Sequence, residues 1–313
     1  RRVRAGCGRK PIAQFFRSHA SAGAGGAAGS RHDSQGVETT GHPMYRARIS
    51  DAVKDRRDAA ARAGRESYDG GMPTSSETPD LTPATSTDAA HDAGDVLALV
   101  AQMETVAFLR FAGAAAETTD PERRLQLARL AGASLARQER VLDRSAEVLG
   151  TPEAALALYV AFEGAFDEFN ARTRASGWWE ELVKGYVGHG VAYDFCRIVA
   201  EALDPASRDV VVDVIDGELT SESAITLVDE ATNDDEQLAS RLALWGRRIV
   251  GEALSVVQVL LTDNASLQRL LARAVALRFE GTDDEVPAAP SAWLFGQLTA
   301  EHARRMSRVG LAA

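Results

Sequence analysis

The sequence predicts an all-α fold, a helical bundle running from residue 92 to the C-terminus. Three observations carry this. From Asp92 onward, apolar residues recur at intervals of three and four. The breaks between these stretches hold helix start and stop residues. No segment shows sustained period-two alternation with β-branched enrichment, the mark of a strand.

The elements follow in order. A first helix is expected over 92–116, containing Gln102-Met103-Glu104-Thr105. Asp120-Pro121-Glu122 then supplies an N-cap, a proline at the first helical position and an acid in the first turn. That helix is expected to end at Leu149, with Gly150 as its stop. Thr151-Pro152-Glu153 repeats the start signal for a helix to about Arg172. Ser176-Gly177 opens a helix over 178–203, and Asp204-Pro205 opens another to about Thr232. Asn233-Asp234 is read as the cap of a long helix to Leu261. Shorter helices over 265–279 and 291–309 finish the chain, with 281–290 as a loop. Long helices joined by short turns pack as antiparallel neighbours, so about eight helices in a bundle are expected.

Residues 1–91 have a different texture. Ser21–Ser30 is almost entirely Ala, Gly and Ser, and Gly71–Ala90 is rich in Pro, Thr and Ser. Neither has an apolar face to offset the entropy of ordering, so a disordered, dispensable extension is expected over 1–91, followed by one domain over 92–313. Position 1 is Arg, and Met44 and Met72 are candidate starts. No apolar signal core follows the basic Arg1-Arg2-Val3-Arg4. No apolar run is read as long enough to cross a bilayer, so no membrane partner is expected. Of the two cysteines, Cys7 lies in the extension and Cys196 in the bundle, which rules out a disulfide framework and points to a reducing, cytoplasmic compartment.

The net charge of −10 hides an asymmetry. Residues 1–70 carry 14 Lys/Arg against 7 Asp/Glu, a balance of +7, which leaves 21 against 38, a balance of −17, for the rest. Tight nucleic-acid binding rests on Lys and Arg neutralising phosphates, so the acidic body disfavours it. An unknown protein partner or a homodimer is the open expectation.

Bundles place chemistry on facing helices. A di-iron carboxylate centre takes a Glu from each of two helices and a Glu-x-x-His pair from each of two others. Neither Glu-x-x-His nor Asp-x-x-His occurs in the bundle, and of the six histidines only His189 is expected in mid-helix there. No nucleotide-binding glycine loop, zinc spacing or nucleophile motif stands out.

Three blocks nevertheless carry a resemblance: Ala243-Leu244-Trp245-Gly246-Arg247-Arg248-Ile249-Val250-Gly251-Glu252, Leu182-Val183-Lys184-Gly185-Tyr186-Val187-Gly188-His189-Gly190, and Leu298-Thr299-Ala300-Glu301-His302-Ala303-Arg304-Arg305-Met306. In content, order and spacing they resemble the bacterial ferritin-like proteins of the tRNA-hydroxylase-like (MiaE-like) family, over about 95–313. The resemblance implies a ferritin-like four-helix bundle elaborated with additional C-terminal helices. It also implies an ancestral di-iron, oxygen-dependent hydroxylation.

Carried over residue by residue, the family's first-helix Glu falls on Glu104. Its second-helix Glu-x-x-His falls on Ser134 and Arg137, and neither can ligate, since a guanidinium is not deprotonated. His189 stands where the family has an acid, and imidazole can still hold iron. Asp194 matches. The last acid-x-x-His falls on Gly217 and Thr220, with Glu218 one position from Gly217. Glu222 matches a family acid one position past the ligand region.

Two functional readings stay open. In one, the di-iron site is lost or impaired, no cofactor is expected, and the protein is a scaffold or interaction protein. In the other, an oxidoreductase of the hydroxylase type keeps iron on Glu104, His189, Asp194 and Glu222. Under the first reading Arg137 is expected to reach the buried Glu104 as a structural cation. Glu252 with Arg247 and Arg248 is expected as a helix-surface pair, and Trp178, Trp179 and Trp245 as packing anchors.

Overall fold

The computed structural model describes residues 86–217, 220–282 and 285–312. The described residues form ten helices and no strand. These are α1 (Ser86–Glu117), α2 (Pro121–Leu149), α3 (Pro152–Ala161), α4 (Asp167–Arg172), α5 (Trp178–Ala200), α6 (Pro205–Asp216), α7 (Thr220–Asn233), α8 (Glu236–Asp263), α9 (Ala265–Phe279) and α10 (Pro290–Arg308). The N-terminal extension expected over 1–91 lies outside the described residues up to 85, and 86–91 already belong to α1. Asp88 in that first turn sets a negative charge against the positive end of the helix dipole.

The start signals work as the sequence reading expects. Asp120 accepts from the Glu122 and Arg123 amides, Thr151 from Ala154, and Asp204 from Ser207, each followed by proline at the first helical position. Gly150 ends α2 with φ 85°, a left-handed conformation that favours glycine. Two expected helices are divided. The stretch expected over 152–172 breaks after Ala161, where Gly164 adopts φ 79°, into α3 and α4. The stretch expected over 205–232 is α6 and α7, with Gly217 capping α6. The cap of α8 is Asp235, which accepts from the Leu238 amide, one residue later than expected.

The α1 and α2 helices form an antiparallel hairpin across the three-residue turn 118–120. The α5 and α6 helices form a second, and α6 packs on both α1 and α2, which closes a four-helix bundle. The α8, α9 and α10 helices cover the other side of α5. The core is built around α1, whose residues from Val96 to Ala101 are buried on every face. A helix apolar all round belongs in the interior. This corrects the reading that no apolar run reaches bilayer length: α1 is long and apolar enough to span one, but 61% of its most apolar window is buried inside the protein.

One buried charge ties α1 to α9. Asp92 is 1% exposed and receives both Nε and Nη2 of Arg269. Arg269→Ala strands that carboxylate, and is expected to lower stability by ~2 kcal/mol, read as a shift in urea midpoint at unchanged slope.

Candidate functional site

Glu104 sits in the middle of α1, facing α2 and α5, and is 0% exposed. A carboxylate at such a place is stable only if neutralised or paired. Arg137 of α2 does the pairing: its Nε and Nη2 each lie 2.9 Å from Glu104 Oε2. The same Nη2 donates to the hydroxyl of Ser134 at 3.0 Å, one turn earlier on the same face of α2. Tyr193 of α5 donates to Glu104 Oε1 at 3.2 Å. Gly217, at the end of α6, lies against the stem of the same side chain: a Cβ there would be 3.7 Å from Arg137 Cδ.

Four of the positions the sequence reading singled out are thus brought together, Glu104, Ser134, Arg137 and Gly217. His189 is on the same wall, because it precedes Tyr193 by one turn of α5, and the two rings meet edge-on at 5.9 Å. Thr220 begins α7, but its side chain and those of Glu218 and Glu222 lie outside the described residues.

Asp194 does not join them. One residue beyond Tyr193, it is rotated about 100° around the helix and meets Arg305 of α10, whose Nη2 donates to Oδ2 at 2.8 Å. Burial raises the Asp194 carboxyl above the usual carboxylate range, against the pull of Arg305. Arg305 lies over Gly190, whose missing side chain leaves room for the guanidinium.

Two residues escaped the sequence reading. Tyr193 could have been found from its four-residue spacing from His189. His302 is a second mid-helix histidine beside the expected His189, buried in α10. The expected pairing of Glu252 with Arg247 and Arg248 is replaced by one with Arg172, at 3.4 Å. Trp245 does anchor a helix contact, donating its indole N–H to the Glu180 carbonyl at 2.8 Å.

Among the described residues the donor set does not fit a di-iron centre. Both oxygens of Glu104 are engaged by protein donors, Ser134 and Gly217 offer no ligand, and a guanidinium fills the space between α1 and α2. Among the described residues no three His, Cys, Asp or Glu side chains converge in a group able to hold a metal ion. Cys196 is no alternative nucleophile, since burial pushes its thiol up to about 12. The arrangement can hold a charge in the interior and fix the mutual rotation of α1, α2 and α5.

The family model described as ferritin-like domain, actinomycetes, matches residues 89–274. The chain belongs to that family. The matched residues of this ferritin-like protein begin near the start of α1 and end within α9, so they include the bundle and the Glu104–Arg137 pair. No curated protein matches the chain.

Proposed function

We propose that this protein is a ferritin-like scaffold or interaction protein in which a permanent ion pair has taken the place of a metal centre. The observation that carries the reading is Arg137 paired with the fully buried Glu104 between α1 and α2, in the bundle interior, the part of such folds in which metal sites are built. A cation fixed by the chain balances the buried acid at all times and has no second oxidation state. The likeness to tRNA-hydroxylase-like proteins supports descent from an enzyme whose ligand pairs have changed to Ser134/Arg137 and Gly217/Thr220. The acidic balance of the body supports a protein partner over tRNA.

The test is iron content after purification from iron-supplemented cells. Wild type is expected to hold well under one iron per chain. Ser134→Glu/Arg137→His, which restores one Glu-x-x-His pair beside Glu104, is expected to raise it severalfold. About two irons per chain in wild type would overturn the reading in favour of a hydroxylase using Glu104, His189, Asp194 and Glu222.

A further inference from the structure

Between α1, α4, α5 and α8 lies a cavity of about 340 Å³. Its walls are apolar, with Leu99, Met103, Ala192, Phe195, Val257 and Leu260 prominent among them. Along α1 the lining runs from Leu99 to Arg110, about 16 Å of helix. The cavity is therefore long and narrow. Partway along it Met103 meets Cys196, their sulfurs 3.6 Å apart.

At one end two cations meet. The Arg110 guanidinium lies against Gly185, where a side chain would collide with it, and Lys184 is the next residue along α5. Among the described residues neither has an ion pair or a hydrogen bond, and Arg110 Nε is buried with no partner. Glu181 and Asp167 also stand at this end, and Glu181 attracts Lys184 without pairing with it. Burial outweighs that attraction and pulls the Lys184 ammonium below the usual lysine range, with Arg110 adding to the effect. Leu109 beside them is 61% exposed and forms an apolar lip. Arg110 lies over the Phe111 ring at 4.7 Å and Lys184 over the Phe169 ring at 5.6 Å, but neither meets an anion among the described residues. In a chain of net charge −10, two adjacent cations without a counter-ion over an apolar cavity are a cost that a bound anion would lower.

We propose that this cavity binds a free single-chain amphiphile, an unbranched aliphatic chain carrying a carboxylate or phosphate head. The chain occupies the space between α1, α5 and α8. The head group bridges Arg110 and Lys184, giving the buried Nε an acceptor and separating two like charges. At interior packing density the cavity takes a chain of about ten to fourteen carbons, which also suits its length. A neutral amphiphile would leave both cations without an anion, and a cationic one would add a third. The inference does not depend on what sits at the bundle centre: iron content reads that question, and amphiphile binding reads this one.

Isothermal titration of the full chain with dodecanoate tests it, beside dodecanol, dodecyltrimethylammonium and vesicles of phosphatidylglycerol. Dodecanoate is expected to bind once per chain, at least about tenfold more tightly than either of the other single-chain probes. Arg110→Gln and Lys184→Gln should each weaken dodecanoate about tenfold and leave dodecanol unchanged. Ala192→Phe, which fills the cavity from α5, should abolish binding of both at unchanged helical content. If that variant does not fold, the Arg110→Gln/Lys184→Gln double variant decides. Equal affinity for the three single-chain probes, dodecanoate binding indifferent to these substitutions, or binding to vesicles without binding to dodecanoate overturns the proposal.

Discussion

Arg137→Ala is expected to destabilise the protein by about 3–5 kcal/mol, which for a body of this size lowers Tm by roughly 10 °C. The reason is the carboxylate left behind. Glu104 is 0% exposed and Arg137 12%, so solvent neither screens the pair nor compensates its loss. With the guanidinium gone, Tyr193 still donates to Oε1, but the charge has lost its cation and must protonate or draw in water. Ser134 also loses its donor in a fully buried place. Removing both charges together, as Glu104→Leu/Arg137→Met, should recover most of the loss, because an apolar pair of similar volume carries no desolvation term. Urea denaturation of the two single variants and the double gives the coupling directly. A cost below about 1 kcal/mol for Arg137→Ala, the size expected of an exposed pair, would show that the pair does not hold the centre together.

The second large effect is a loss of stability in acid that traces to one histidine. His302 on α10 is 4% exposed and neither ring nitrogen has a hydrogen-bond partner. Burial, with the nearby Arg305 charge adding to it, lowers its pKa from 6.5 to about 4. The folded state thus holds His302 neutral where the unfolded chain would take up a proton. A depressed pKa on a base gives stability that is complete above about 6.5 and is lost as pH falls toward about 4. The loss amounts to about 3 kcal/mol. The carboxyls of Asp95 and Asp194, held above their usual range chiefly by burial, act in the opposite sense as they protonate. The measurement is therefore a difference: ΔG of unfolding against pH for wild type and for His302→Leu. The wild-type curve should fall below the variant's between about pH 6.5 and 4. Parallel curves would place the acid sensitivity elsewhere.

Much of the bundle was legible because its boundaries are written in short-range chemistry. Asp120-Pro121, Thr151-Pro152 and Asp204-Pro205 cap amides two or three residues away, so the signal and its effect lie within one turn. Gly150 and Gly164 also act on their own backbone, and the break at Gly164 was missed because the apolar pattern carries on through Phe162 and Phe166. The helical periodicity of 93–103 is faint for the opposite reason: a helix buried on every face has no polar side to reveal its period.

The candidate site divides along the same line. That Glu104 lies on an apolar helix, that Arg137 follows Ser134 by three residues, and that no Glu-x-x-His is present in the bundle are all matters of sequence. Which side chains meet is not. Glu104 and Arg137 are 33 residues apart, Glu104 and Tyr193 are 89, and Asp194 and Arg305 are 111. Tyr193 and Asp194 are neighbours in the chain, yet one faces the bundle centre and the other α10, because each step along a helix turns the side chain by about 100°. The rotation of α5 is set by everything packed on it, from Met103 against Cys196 to Arg305 over Gly190. The cavity under Arg110 and Lys184 arises in the same way, as the space four helices leave when their ridges do not fill one another. Short-range hydrogen bonding determined the helices; long-range packing decided which faces, charges and spaces they share.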